Sequence, residues 1–453
     1  MLISTSPQRP GDVVVEVTPA TAADVERAAV VARAAQRRWA ADPGARAVTL
    51  ARAADAVERA AGDLADLVVR EVGKPVTEAR GEVARAVAIL RYHAQQALDP
   101  VGETFGAAGA VLSFTTRRPR GIAGLVTPWN FPLAIPLWKA APALAAGNAV
   151  LLKPSEEATA SALRLAEVLA PVLPAGLFTV LPGGVETGRA VTGVADVVSF
   201  TGSTAVGRQV VRDATERGVR VQAEMGGQNP AVVLPDADPG VAAASIAAAV
   251  AGFAGQKCTA TKRVLVVGDA AAFTEALVAA VEALGFGDPA DAGVAVGPVV
   301  TAAARDAVLD AARSAVAAGG RVVTGGDAPD GDGWFVRPTV VDGLPPDHRL
   351  ECDEVFGPIC AVSSVSSVDA AVERANAVRY GLVGAVYGRD LGSVLDVSHR
   401  LDAGMVKVNA PTTGVDFWTP FGGVKESGHG GKEQGKAAVD VYTTTHTVTV
   451  AAG

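Results

Sequence analysis

The chain has 453 residues, 49% of them hydrophobic and 19% charged, with a formal net charge of −8. That length exceeds what one core sustains and predicts an ordered protein of two or three domains, while the acidic balance excludes a general basic field for nucleic acid. Three cysteines, Cys258, Cys352 and Cys360, lack the spacing of a disulfide framework or a zinc site, as expected of a reduced, cytoplasmic protein that holds no metal.

The first residues, Met1 to Pro7, lack the charged and apolar regions of a signal peptide. No apolar window, including the alanine-rich run 241–254, reaches the length of a membrane span, so no membrane partner is expected. Thr21 with Asp24 forms a capping-box pattern and predicts a helix to about Trp39. Apolar residues recur at helical spacing over 46–72 and 77–97, separated by Gly73-Lys74-Pro75. After Gly102 the texture changes, and Val111 to Thr116 reads as an extended ribbon leading into a buried strand at 122–126.

From there strand and helix alternate. Strands are expected at 149–152, 178–181 and 197–200, and helices at 159–170 and 204–215. A second series begins near Pro230 and continues through strands at 264–267, 321–324 and 359–362. This order predicts an α/β fold of two doubly wound, mostly parallel domains, with ligands at the strand C-termini. The final stretch, 441–450, is polar and β-branched, with too little apolar surface for a core of its own. It is expected to pair with another subunit.

No GxGxxG follows the first strand. A different anion cradle is visible in Phe200-Thr201-Gly202-Ser203-Thr204, where a glycine, a hydroxyl and a helix start follow a strand directly. Read alone, it is as well explained by a helix cap. Lys153-Pro154-Ser155-Glu156 follows another buried strand and read alone is a solvated turn.

Cys258 lies in Phe253-Ala254-Gly255-Gln256-Lys257-Cys258-Thr259-Ala260-Thr261, just past a small-residue helix, where packing gives no reason for a polar cluster. A lone cysteine is more often a small buried apolar residue than a nucleophile, so context has to decide. Three further segments supply it: Thr127-Pro128-Trp129-Asn130-Phe131-Pro132, Ala223-Glu224-Met225-Gly226-Gly227 and Glu354-Val355-Phe356-Gly357-Pro358. Together with the cysteine segment they resemble the aldehyde dehydrogenase superfamily, from about the first helix to the C-terminus.

The resemblance implies a Rossmann-like NAD(P)-binding domain (1–102 and 120–226), a catalytic domain (227–426) and a small β oligomerisation element (103–119 and 427–453) of a homodimer or homotetramer. It assigns Thr127, Trp129, Lys153, Ser155, Glu156, Gly202, Ser203, Glu354 and Phe356 to the cofactor. Within that set Gly202 and Ser203 meet the pyrophosphate, Lys153 and Glu156 the adenosine ribose, and Glu354 the nicotinamide ribose with Phe356 beside it. A carboxylate at Glu156 would repel a 2′-phosphate, which favours NAD over NADP, and Ser155 leaves dual use open.

Oxidising an aldehyde through a thiol needs a thiolate, donors for the oxyanion, a hydride acceptor and a base for water. By resemblance Cys258 attacks the carbonyl, its own amide and the Asn130 side chain hold the oxyanion, and Glu224 activates water. Glu224 also argues for release of a free acid over transfer to coenzyme A. The alternatives are a turn residue at Asn130, a solvated strand end at Glu224 and a core thiol at Cys258. Cys352 and Cys360 read as structural.

For the substrate, a small-molecule aldehyde, the resemblance places Phe131, Ile135, Trp138, Val415 and Phe421 along a tunnel, with Lys257 and Thr259 flanking the nucleophile. Lys257 would suit a terminal carboxylate or phosphate, unless it turns to solvent or a backbone carbonyl. Segments 408–416, 433–435 and 89–92 look like the 2-oxoglutarate semialdehyde (2,5-dioxopentanoate) dehydrogenases. The expected activity is oxidation of a small acidic semialdehyde, with a broad aliphatic aldehyde dehydrogenase or a silent member of the fold as alternatives.

Overall fold

The computed structural model describes residues 1–99, 101–106 and 112–451. It opens on a hairpin of β1 (Leu2–Ser6) and β2 (Arg9–Val17). Four helices follow: α1 (Ala22–Trp39), α2 (Pro43–Arg59), α3 (Ala61–Val72) and α4 (Val76–Gln96). Thr21 and Asp24 make the reciprocal capping box that their spacing predicts. The expected helix over 46–72 is two helices, broken at Ala60, whose φ of −92° and ψ of 10° leave the helical region.

After the short β3 (Thr104–Phe105) and the long β4 (Leu112–Pro119), the chain enters its first alternating unit. This comprises β5 (Ile122–Val126), α5 (Ala134–Ala145), β6 (Ala149–Lys153), α6 (Thr159–Leu169), β7 (Phe178–Val180), α7 (Val185–Val194), β8 (Val197–Thr201), α8 (Thr204–Glu216) and β9 (Arg220–Glu224). Strands β9, β8, β5, β6 and β7 lie parallel in that order, so the chain reverses direction across the sheet beside β5. The loops after β5 and β8 therefore open at the topological switch point, where an open α/β sheet takes its ligand.

The second unit runs β10 (Asn229–Val233), α9 (Pro239–Ala251), β11 (Thr261–Val267), α10 (Ala271–Glu282), α11 (Ala302–Ala317), β12 (Arg321–Thr324), β13 (Thr339–Asp342), α12 (Arg349–Cys352), β14 (Ile359–Val365) and α13 (Val368–Asn376). It ends with β15 (Tyr380–Gly381), β16 (Val383–Tyr387), α14 (Leu391–Arg400) and β17 (Met405–Val408). Its sheet has the order β12-β13-β14-β11-β10-β16-β17 and is parallel except at β12. The expected pair of doubly wound α/β units is present, each strand stack covered by alanine- and valine-rich helices.

The C-terminal segment returns to the first unit. After β18 (Val424–Lys425), β19 (Gly428–His429) adds an antiparallel edge to β9, and α15 (Ala438–Tyr442) leads into β20 (Thr443–Val450). Residues 427–442, expected with the oligomerisation element, thus pack on the first sheet. Only β20 joins β3 and β4 in a separate ribbon. Within the chain β20 pairs with β4, from Thr443 opposite Pro119 to Val450 opposite Leu112, and its other edge is the outer edge of the ribbon. The two largely polar strands satisfy each other's backbone without needing a core. The first residue of the expected ribbon, Val111, lies outside the described residues.

Candidate active site

Two cavities meet where the units face each other. A cleft of about 760 Å3 runs between the ends of β5, β6 and β8, lined by Thr127, Trp129, Lys153, Ser155, Glu156, Gly184, Thr201, Gly202 and Ser203 among others. An adjoining recess of about 220 Å3 shares Trp129, Thr201, Gly202 and Ser203 with it and adds Asn130, Ile135, Cys258, Glu354 and Phe356. Every residue assigned to a cofactor from sequence lines one or both.

The cleft is built for an anionic, hydroxyl-rich ligand. Ser203 caps α8, and the free amides of that first turn face the cleft. The hydroxyls of Thr127 and Thr201 are buried and have no partner among the described residues, which suits donors held for a ligand. Burial pulls the Lys153 pKa below its ordinary value, with Glu156 and Glu157 working against it. Glu156 leans across the cleft against Gly184, where an added Cβ would sit 2.6 Å from its Oε1. Sequence reasoning missed that wall because α7, which follows Gly184, was not recognised.

The Cys258 loop is pinned from several directions. Before it, Phe253 and Ala254 take left-handed φ values of 53° and 51° and are fully buried. Each costs about 1 to 2 kcal/mol, so surrounding bonds have to impose the turn. Gln256 donates to Phe253 O and Pro298 O and accepts from Val300 N. Asn229 donates to the carbonyls of Cys258 and Ala260, both at 2.8 Å. Lys262 donates to Gly255 O and Gly357 O. None of these anchors is marked by a local motif.

Cys258 is half-buried at the floor of the recess. Burial pushes its thiol up to about 12, reinforced by the carboxylates of Glu354, Glu224 and Glu433. It rests as a thiol and is not a core residue. Asn130, only 3% exposed, donates to Gln256 O at 2.9 Å. Its turn is fixed by Glu82 on α4, whose Oε1 accepts from the Leu133 and Ala134 amides at the start of α5. Glu82 also pairs with the fully buried Lys74, whose ammonium lies 3.8 Å from the Phe131 ring centroid.

Glu224 is 2% exposed and accepts from Gln222 Nε2 at 3.0 Å and Gly423 N at 3.1 Å. The solvated strand end is thereby excluded. Burial first, then Glu433, raises its pKa well above the usual carboxylate range. From Gln222 a buried chain continues through Ser199 to Lys139 and Glu433. Gly422 has to be glycine, since a Cβ there would lie 2.4 Å from Glu224 Oε1. Glu354 accepts from Gly227 N, and burial raises its pKa to about 7 against the pull of Lys262. Phe356 meets Trp129 edge-on at 5.7 Å, closing the recess beside Glu354.

Of the residues expected along a substrate tunnel, Trp138 and Phe421 pack with tilted rings 5.6 Å apart, Thr259 is buried and Val415 is partly buried. Lys257 departs from expectation. Its ammonium is paired with Glu78 of α4 at 2.8 Å and its side chain is 12% exposed, so it offers neither a free cation to substrate nor a charge to solvent. Glu78 lies 179 residues away in sequence, beyond the reach of any local reading.

The described residues hold no cluster able to ligate a metal and no helix long and apolar enough to cross a membrane. The aldehyde dehydrogenase family matches residues 2–448. An α-ketoglutaric semialdehyde dehydrogenase of Bacillus subtilis is 37% identical over 98% of this chain and 93% of its own length. An α-ketoglutarate semialdehyde dehydrogenase of Haloferax volcanii is 39% identical over 98% and 94%. The solved NAD-dependent aldehyde dehydrogenase from Sinorhizobium meliloti superposes with a TM-score of 0.96 at 33% identity, covering 100% of this chain and 91% of the other. With the family matched across nearly its whole length and relatives at 37% and 39% identity over 98% of it, the chain belongs to the aldehyde dehydrogenase family.

Proposed function

We propose that the chain is an NAD(P)-dependent enzyme that oxidises a small acidic aliphatic semialdehyde to its free acid in the cytoplasm, as a homodimer or homotetramer. One observation carries the chemistry: Cys258, Asn130 and Glu354 line one recess that opens into the cleft, with Glu224 within electrostatic reach of the thiol. The acidic substrate is supported by the two semialdehyde dehydrogenases that share more than a third of its sequence. The homo-oligomer rests on the β3-β4-β20 ribbon, a small three-stranded sheet with no core of its own.

The cofactor fits the cleft through the helix cap at Ser203, Lys153 and Glu156 at the ribose end, and Glu354 with Phe356 near the thiol. NAD is the preferred form, because the Glu156 carboxylate against Gly184 would face a 2′-phosphate. When bound, NAD(P) supplies the hydride acceptor.

Cys258 loses its proton to Glu224, directly or through water, and its sulfur adds to the aldehyde carbon. The Cys258 amide and the second hydrogen of Asn130 Nδ2 receive the oxyanion of the thiohemiacetal. After oxidation to the thioester, Glu224 takes a proton from water, hydroxide displaces the Cys258 sulfur, and the carboxylic acid leaves. The raised pKa of Glu224 suits this work, since a stronger acid would be a weaker base near neutral pH. Glu224 releases the first proton to solvent before it takes the second, while the buried chain of Gln222, Ser199 and Lys139 donates toward its carboxyl and holds it in place.

The test is reduction of NAD by the purified protein with a panel of short aldehydes. Turnover that survives Cys258→Ser would overturn the assignment, whereas loss of turnover with retained NAD binding supports it.

A further inference from the structure

With Lys257 committed to Glu78, the proposed acidic substrate needs another cation, and one stripe of α4 supplies it. Glu78, Glu82, Arg85 and Tyr92 share a face of that helix at i, i+4, i+7 and i+14 spacing. Three of the four have identified tasks. Glu78 holds Lys257 beside the nucleophile. Glu82 holds the first amides of α5 beyond Asn130 and Phe131. Tyr92 packs edge-on against Phe417, 5.7 Å between centroids, in the loop that also carries Val415 and Asp416.

Arg85 lies one turn beyond Glu82 on α4, within electrostatic reach of Glu82 on its own helix and of Asp416 in the 415–417 loop. It is half-buried, yet among the described residues it makes neither an ion pair nor a hydrogen bond. The charges of Glu82 and Asp416 reach it, and neither carboxylate closes an ion pair with it. Other partly buried arginines in this protein find partners: Arg46 bonds three backbone carbonyls, and Arg374 pairs with Glu351. A desolvated guanidinium without an acceptor is costly unless a ligand completes it.

We propose that Arg85 is the specificity residue for the anionic end of the substrate, its guanidinium receiving a terminal carboxylate while the aldehyde lies over Cys258. This rests on the acidic-semialdehyde reading above. A planar fork suits a carboxylate through two parallel hydrogen bonds, and Phe131 and Val415 would flank the aliphatic stem between the two ends.

The experiment compares kcat/KM for succinate semialdehyde with kcat/KM for butanal, which has the same four-carbon length without the carboxylate. The ratio is measured in the parent protein, in Arg85→Met and in Arg85→Gln, with either variant sufficient if the other fails to fold. The parent ratio is expected to favour the acidic aldehyde, and each variant should lower it about 10- to 100-fold, as for loss of a charge-assisted pair. A parent ratio near one would overturn the acidic-substrate reading and the role of Arg85 with it. A high parent ratio retained in the variants would overturn Arg85 alone and leave that reading standing.

Discussion

The side-chain amide of Asn130 donates to the backbone carbonyl of Gln256 at 2.9 Å, joining the loop after β5 in one α/β unit to the Cys258 loop of the other. One hydrogen of Nδ2 fixes the seam between the units, and the other remains for the substrate oxygen. Asn130→Ala should therefore lower kcat by about 100- to 1000-fold, the usual cost of an oxyanion donor. Because the cofactor cleft is lined by other residues, the dissociation constant for NAD should change little. Stopped-flow turnover and NAD fluorescence titration measure the two separately, and a kcat within a few-fold of the parent would assign the oxyanion to the Cys258 amide alone.

Glu224→Gln separates the two halves of the reaction. Its carboxyl is buried and anchored by Gln222 and Gly423, and an amide of the same shape can keep at least the Gly423 bond. We expect one burst of NADH of about one equivalent per active site, followed by collapse of steady turnover, because the thioester then waits for unactivated water. The parent should show no such contrast between burst and steady state. A variant that turns over at the parental rate would move the base to another group.

Which parts of this site the sequence displays, and which it conceals, follows from how each residue is specified. Cys258, Asn130, Glu224 and Glu354 sit in short segments of glycine, proline and polar residues that break the surrounding periodicity, so they stand out locally. The alternating strands and helices from Ile122 onward are equally visible, because a buried parallel strand is a short apolar run. The supporting contacts leave no local trace. Glu82 reaches amides 51 residues away, and Lys139 meets Glu433 across 294. Periodicity shows that a residue faces inward but not which partner waits there. The same limit applies to Lys257, whose neighbour in sequence is Cys258 while its partner in space is Glu78. The N-terminal hairpin, for which no expectation was drawn, places Pro10 and Gly11 inside an edge strand of mixed exposure.

Lys74 and Glu82 form an ion pair whose side chains are both fully buried. Removing one member of such a pair strands the other charge, at a cost of about 3 to 5 kcal/mol. Glu82→Ala should lower the melting temperature and, by freeing the first turn of α5, also lower kcat for every aldehyde. The double variant Glu82→Ala with Lys74→Met should recover part of the stability but not the activity, since the α5 amides still lack their acceptor. Thermal melts of the three proteins test this, and additive losses in the double variant would show that the two residues act independently.

Glu354 gives the fold a pH dependence of predictable sign. Burial raises its pKa from the usual 4.5 to about 7, with Lys262 and the Gly227 amide pulling it down. Between about pH 4.5 and 7 the folded protein keeps a proton that the unfolded chain releases. The stabilisation linked to that proton is complete below the lower value and is lost as pH rises through the higher one. Glu354→Gln should therefore flatten the fall in melting temperature across this window. A parallel displacement of the whole curve, with its slope unchanged, would place the titration on another group.

The proposed preference for NAD is tested at Glu156, whose carboxylate lies against Gly184. A 2′-phosphate on the adenosine ribose would bring about −2 of charge near that carboxylate, in a cleft where Lys153 already divides its attraction between Glu156 and Glu157. Glu156 is exposed at the rim of the cleft, so solvent screens the repulsion and the discrimination should be moderate, about 10- to 100-fold in KM. Glu156→Gln should narrow the gap mainly by lowering KM for NADP, while KM for NAD rises only by the loss of one ribose hydrogen bond. Raising ionic strength should narrow it in the parent protein as well, because an exposed like-charge term weakens with salt whereas a steric wall at Gly184 does not. A gap insensitive to both the substitution and salt would mean that the Gly184 wall, and not the charge of Glu156, excludes the phosphate.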